Sequence, residues 1–130
     1  MKVTLVSLAA GLGLLVPAVA LAHHSFAAEY DSNKPVTLKG TVTKVDWTNP
    51  HARFYIDVKD ANGQAVNWNF ELASPNVLKR NGWSRNTLKE GDEVTVTGSM
   101  AKDGAHLANA RTVTLADGKR VFAGSNNEGQ

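Results

Sequence analysis

The chain has 130 residues, a formal net charge of +2 and no cysteine. This length suits one domain with its own hydrophobic core. A charge so near neutral gives no concentrated basic surface of the kind that binds nucleic acid or an anionic membrane, so no nucleic-acid partner is expected. Without cysteine, disulfides, zinc–thiolate sites and iron–sulfur clusters are excluded.

Residues 1–22 have the three parts of a secretory signal peptide. Lys2 supplies the positive charge, Val3–Val16 is uncharged and mostly apolar, and small residues end the segment at Ala22. The apolar run is shorter than the roughly 20 residues that span a bilayer. We therefore predict cleavage after Ala22, which leaves a periplasmic or secreted protein that begins at His23 and has no membrane span.

The mature chain is predicted to start with an irregular arm (23–34), which precedes a β domain (35–124) and a disordered tail (125–130). The first strand begins at Pro35, where apolar or small residues occupy alternate positions. Its alternation changes parity partway, which indicates a bulge or bend, and Gly40 is the natural place for it. The residues of one parity are Val36, Leu38, Gly40 and Val42, and those of the other are Val45 and Trp47.

The remaining elements alternate with turns that are rich in glycine, asparagine and aspartate. Ser74 as a cap, Pro75 at the first position and Gly82 as a stop predict a short helix. The further strands are predicted around Phe54–Val58, Val66–Leu72, Val94–Gly98, Ala108–Leu115 and Val121–Phe122. This order predicts an all-β fold: a small OB-fold-like barrel of five or six strands, with the helix between strands three and four. A small antiparallel sandwich is the alternative.

Motifs throughout the mature chain resemble those of a family of small exported bacterial proteins of unknown function (domain of unknown function 6152 type). They are His23-His24-Ser25-Phe26, Lys39-Gly40-Thr41-Val42, Trp47-Thr48-Asn49-Pro50-His51, Ser74-Pro75-Asn76, Gly82-Trp83 and Gly91-Asp92-Glu93-Val94. The resemblance covers nearly the whole mature chain. It implies an envelope location in a Gram-negative bacterium and no particular activity. Where such relatives often have an aromatic residue after Pro-His-Ala, this chain has Arg53.

The predicted cleavage point suggests a copper site. A chain that begins at His23 offers its α-amine and its imidazole to one metal ion, and an imidazole from the fold would complete the T-shaped three-nitrogen set called a histidine brace. Such nitrogen ligands suit copper(II). His51, just after the Asn49-Pro50 turn and on the same face as Arg53, is the preferred partner.

Other metal-binding arrangements remain open. His24 in the second position could chelate copper within the arm alone, and His106 is a second candidate partner from the fold. Glu29, Asp31 and Asp46 are candidates to orient an imidazole. Alternatively, the paired histidines are only a polar arm, and His51 is an ordinary exposed residue after a turn.

A metal-free module that binds an envelope protein or a saccharide is the alternative function. Its candidate ligand-binding residues on the first three strands are Trp47, Asn49, Tyr55, Asn67 and Asn69. Asn67, Asn69 and Glu71 form a polar outward face, for which simple solvation is the more ordinary explanation. No nucleophile elbow, HExxH helix or phosphate-binding glycine loop is present. We therefore predict metal handling or a redox accessory role rather than an enzyme, with a copper oxidase as a lesser possibility.

Overall fold

The computed structural model describes residues 26–124, which form six strands and two short helices. In chain order these are α1 (Phe26–Glu29), β1 (Tyr30–Asp46), β2 (Arg53–Lys59), β3 (Ala65–Glu71), α2 (Pro75–Arg80), β4 (Glu93–Ala101), β5 (Leu107–Leu115) and β6 (Arg120–Phe122). The predicted signal peptide, the histidines His23 and His24, and the predicted tail at 125–130 lie outside the described residues.

The strands form one sheet in the order β3-β2-β1-β4-β5-β6. Neighbours in this order are antiparallel, and an additional parallel pairing of β3 with β5 closes the sheet into a barrel. The long β1 strand has two antiparallel neighbours, because residues 30–41 pair with β4 and residues 41–46 pair with β2. With α2 between β3 and β4, the predicted OB-like barrel is confirmed.

The inward faces of the strands follow the alternation in the sequence. Phe54, Ile56 and Phe70 are fully buried, and the rings of Phe54 and Phe70 stack with centroids 5.3 Å apart. Trp83 is buried after α2 and donates a hydrogen bond from Nε1 to the carbonyl of Phe122 at 2.8 Å. Ser74 caps α2 by accepting a hydrogen bond from the Val77 amide, as predicted.

The first strand begins earlier than predicted, so the irregular arm at 23–34 is wrong over its described part. Residues from Phe26 form α1, and β1 already begins at Tyr30, which pairs with Ala101 of β4 and is buried. A register shift between Asp31 and Pro35 interrupts the pairing. This bulge hides the strand from a period-two pattern, because alternation is lost where an extra residue enters.

The parity change in β1 is also real, but it occurs after Gly40. The register against β2 shifts between Val42 and Lys44. Gly40 has a different reason to lack a side chain, since a Cβ atom there would come within 2.4 Å of the Asp57 carbonyl oxygen. Glycine at this position therefore permits a close backbone approach rather than a bend.

Candidate functional site

A polar cluster lies at the end of the barrel where β2 begins and β3 ends. Arg53 and Glu71 are directly paired in the β2–β3 ladder, and His51 precedes β2 after a cis Asn49–Pro50 peptide bond. Tyr30 and Asn69 complete this group, which we call the Glu71 cluster: Tyr30, His51, Arg53, Asn69 and Glu71. It brings together a carboxylate, a guanidinium, a phenol and an imidazole from three separate parts of the chain: the start of β1, the start of β2 with the residues just before it, and the end of β3.

Glu71 is the centre of the cluster and is only 7% exposed. Its Oε2 accepts hydrogen bonds from Arg53 Nη2 at 2.5 Å and from the Tyr30 hydroxyl at 3.0 Å. Its Oε1 lies 3.7 Å from Nδ1 of His51. The sequence placed Glu71 on a solvated outward face, which is wrong, because Tyr30 from the start of β1 covers that end of β3.

His51 is held by its Nδ1 atom. That nitrogen lies 3.0 Å from the carbonyl oxygen of Leu72, with Glu71 Oε1 as a second nearby acceptor. A carbonyl can only accept, so Nδ1 carries the proton in this contact, and in the neutral ring the lone pair is then on Nε2. The side chain is 29% exposed. His51 is therefore an oriented imidazole in which one nitrogen is still available for a ligand.

Arg53 connects Glu71 to the neighbouring polar face. Besides its contact with Glu71, it donates from Nη1 to Asn69 Oδ1 at 3.4 Å, and its side chain is 31% exposed. Arg53 thus neutralises a buried carboxylate. Because charged hydrogen bonds are stronger than neutral ones, this pair gives the cluster a fixed geometry.

The first described residues of the chain are attached close to this cluster. The ring of Phe26 packs on that of Tyr30 with centroids 5.6 Å apart. Lys102, in the turn after β4, donates from its amide to the carbonyl of Glu29 at 2.9 Å and from Nζ to the carbonyl of Ala27. Tyr30, which contacts Glu71, therefore directly follows α1 in the chain.

His106, the second predicted partner, has a different environment. It is exposed, and its ring packs on Trp68 with centroids 4.9 Å apart. Between residues 26 and 124, no group of three or more His, Asp or Glu side chains is suited to hold a metal ion.

The predicted orienting carboxylates do not contact His51. Asp46 pairs with Lys44 at 3.0 Å, Asp31 accepts a hydrogen bond from the Asn33 amide, and Glu29 is near the β4–β5 turn through its backbone. Glu71 and the Leu72 carbonyl lie beside the His51 ring instead. Sequence reasoning missed them, although the hairpin turn at 60–63 fixes a register that pairs position 53 with position 71.

The polar side chains on the predicted ligand-binding face mainly contact one another. Asn67 donates from Nδ2 to Asp57 Oδ1 at 2.8 Å and to Thr43 Oγ1 at 3.1 Å. Lys44 Nζ lies 5.3 Å from the centroid of the Tyr55 ring. These contacts satisfy the polar groups within the face, as is expected for a solvated surface.

The two loop residues predicted for the same face differ in how far they are buried. Trp47 is half-buried and packs against the hydrophobic core, whereas Asn49 is exposed beside the cis Pro50 bond. Trp47 therefore packs at the barrel rim. Neither makes a contact that indicates a ligand.

Burial, and then the charge of Glu71, raise the pKa of Tyr30 far above its usual value of about 10. The Tyr30 phenol is expected to stay protonated while the protein is folded. An alkaline absorbance titration of the folded protein should therefore coincide with that of Tyr30→Phe. Because only the unfolded chain ionises this phenol readily, stability should decrease as the pH rises above about 10. This assignment would be contradicted by a phenolate signal that appears at a pH below the unfolding transition and is missing in Tyr30→Phe.

Comparison with known proteins supports the fold and supplies a family. The profile of a family of unknown function (DUF6152) matches residues 13–110. The sequence matches no curated protein. A crystal structure of a mitochondrial single-stranded DNA-binding protein from S. cerevisiae is similar, with a TM-score of 0.50 and 12% identity over 64% of this chain and 93% of that one. At this identity the likeness concerns the fold alone. Neither helix within residues 26–124 is long and apolar enough to cross a membrane.

Proposed function

The chain belongs to the DUF6152 family of unknown function, and we propose that it is an exported protein that binds copper(II) for metal handling or a redox accessory role. The proposed ligands are the α-amine and imidazole of His23 and Nε2 of His51. The observation that carries the proposal is the fixed His51 ring, whose Nδ1 is engaged by the Leu72 carbonyl at 3.0 Å.

The environment of His51 is the one that metal-binding histidines commonly have. Such a histidine usually donates its second ring N–H to a carbonyl or a carboxylate, which fixes the tautomer and the ring direction. His51 has both acceptors, with the Leu72 carbonyl in hydrogen-bond range and Glu71 Oε1 at 3.7 Å. This arrangement prepares Nε2 as a ligand before any metal arrives.

The path of the chain supports a contribution from His23. Phe26 packs on Tyr30, and the Tyr30 hydroxyl contacts the same carboxylate that faces His51. Residues 23–25 can extend at most about 10 Å from this point, at 3.3–3.6 Å per residue. A terminal amine within that reach could meet His51.

The chemistry of the ligands selects the metal. An amine and two imidazoles form a set of three nitrogens, which favours copper(II) among divalent first-row ions. Two of the three proposed nitrogens belong to His23, so the proposed site exists only after export and cleavage expose its α-amine. Signal peptidase would thereby create the site outside the cytoplasm, where a copper ion can be taken up.

A copper(II) titration of protein recovered from the periplasm tests the proposal, with intact mass measured on the same sample. We expect a chain that begins at His23 and binds one copper ion. His51→Ala should weaken binding beyond the roughly 10- to 100-fold typical of losing an orienting partner. His106→Ala is the matched control and should leave the affinity unchanged. Unchanged affinity in His51→Ala, or a different first residue, would overturn the proposal.

A further inference from the structure

We propose that the outer edge of β3 from Ala65 to Trp68, which we call the β3 edge, binds an extended peptide segment of another protein as an additional strand. This edge lies at the opposite end of β3 from the Glu71 cluster, and the inference does not rest on the copper site. β2 pairs with β3 over all of Ala65–Glu71, whereas β5 pairs with it only at Asn69–Glu71. Within the described part of the chain, residues 65–68 thus have a neighbouring strand on one side only.

The backbone groups along the β3 edge face away from β2. The Asn69 amide donates at 3.0 Å to the carbonyl of the residue just before β5, so it faces the β5 side of the strand. Peptide groups two residues apart in a strand face the same way, so the N–H and C=O groups of Ala65 and Asn67 face that side too. β5 does not continue along them, because a tight turn, closed at 2.8 Å by the Leu107 amide and the Ala105 carbonyl, precedes it. Ala65 and Asn67 are both exposed, so an incoming strand can reach these groups.

The side chains of the β3 edge determine which peptide fits. Val66 and Trp68 lie on the face that continues into the barrel core and are half-buried, and Trp68 stacks on Phe70 with centroids 6.4 Å apart. His106 packs on Trp68 with centroids 4.9 Å apart, at the end of the edge nearest β5. Asn67 lies on the opposite, polar face, where its side chain is hydrogen-bonded. A peptide that alternates apolar and polar residues would match both faces.

Another edge of the barrel is protected against strand addition, whereas the β3 edge is not. The first part of β1 pairs with β4 alone, and it carries a bulge between Asp31 and Pro35 together with Lys34 and Lys39. Prolines, lysines and bulges are common means by which proteins block pairing at an exposed edge. Residues 65–68 include no charged residue and no proline, and their pairing with β2 has no register shift. The β3 edge therefore remains competent to accept a strand.

The short length of the β3 edge favours a peptide over a second copy of this chain. Two copies that paired through residues 65–68 would bury far less than the roughly 1,000 Å² expected of a stable interface between proteins. A peptide can follow the edge and then continue over the exposed ring of His106. In this mode of recognition, main-chain hydrogen bonds supply affinity and contacts of alternate side chains supply specificity.

Phage display of short random peptides against the full protein tests the inference, followed by affinity measurements with a synthetic copy of a selected peptide. We expect the selected peptides to alternate apolar and polar residues. Asn67→Pro should weaken binding by about tenfold or more, because proline removes the outward N–H and places its ring on the edge. Asn67→Ala is the matched control, since it removes the same side chain but keeps the N–H, and it should bind like the unchanged protein.

N-methylation of the selected peptide tests the same contact without altering the protein. Methyl groups on the amides that face β3 should abolish binding, and those on the intervening amides should be tolerated. Circular dichroism checks the fold of Asn67→Pro, and the methylation pattern decides alone if that variant does not fold. His51→Ala should leave peptide binding unchanged, so this inference and the proposed copper site can fail separately.

Four results would overturn the inference. They are the failure of any peptide to be enriched, equal losses in folded Asn67→Pro and Asn67→Ala, an affinity that does not alternate along the methylated series, and a concentration-dependent dimer that Asn67→Pro abolishes. The last result would assign the β3 edge to a second copy of the chain.

Discussion

Replacing Glu71 with alanine should lower the free energy of unfolding by about 2–4 kcal/mol, because the change removes the acceptor of two hydrogen bonds at once. Arg53 would lose its only carboxylate contact among the described residues, and the buried hydroxyl of Tyr30 would lose its acceptor. The Arg53 guanidinium, which is 31% exposed, can recover part of its solvation. The buried Tyr30 hydroxyl has less opportunity to do so.

Urea unfolding of Glu71→Ala, monitored by tryptophan fluorescence, would measure this loss. Glu93→Ala is the matched control, because Glu93 pairs with Lys39 at 3.9 Å through exposed side chains. An exposed pair of this kind contributes about 0–1 kcal/mol. Tyr30→Phe removes one of the two hydrogen bonds to Glu71 and should cost about 1 kcal/mol. A Glu71→Ala variant no less stable than Glu93→Ala would show that the cluster does not stabilise the fold.

Glu71→Ala should also loosen the start of the chain. Besides the ladder pairing of β1 with β4, the hydrogen bond from Tyr30 to Glu71 attaches this segment to the barrel, and Lys102 holds α1 from the β4–β5 turn. With the Tyr30 hydrogen bond gone, amide hydrogen exchange at 26–31 should accelerate more than exchange in β2. Equal acceleration in both segments would indicate global destabilisation alone.

Local patterns in the sequence were sufficient to predict most of the barrel. Alternating apolar residues identify β2 and β3, and Ser74, Pro75 and Gly82 delimit α2 correctly, because each signal acts within a few residues of the element it forms. The position of the helix between the third and fourth strands then identified the OB-like order. These are the features for which neighbouring residues carry the information.

The candidate site was less predictable because its contacts join distant residues. Alternation shows that Glu71 points away from the barrel interior, but not that Tyr30, 41 positions earlier in the chain, covers it. The bulge between Asp31 and Pro35 concealed the strand that carries Tyr30. His51 was predicted from its place after a turn, whereas its partners Glu71 and Leu72 follow only from the β2–β3 register.

In the proposed copper site, the first residue of the mature chain should decide which groups bind the metal. A chain that keeps one extra residue, beginning at Ala22, moves His23 to the second position and separates its imidazole from the α-amine. That arrangement can still chelate copper(II) through the amine, a deprotonated peptide nitrogen and the imidazole, but it does not require His51. We therefore expect the extended chain to bind copper while losing its dependence on His51.

A double-mutant cycle between the one-residue extension and His51→Ala measures this coupling directly. In the chain that begins at His23, His51→Ala should weaken copper(II) binding beyond the roughly 10- to 100-fold typical of losing an orienting partner, and in the extended chain it should change the affinity little. Both chains should carry His24→Ala, so that a second-position histidine in the shorter chain cannot chelate the metal within the arm. An equal effect of His51→Ala in both backgrounds would show that His51 and the terminal amine do not share a metal ion. A large coupling would establish that cleavage of the leader forms the site, because nothing else differs between the two chains.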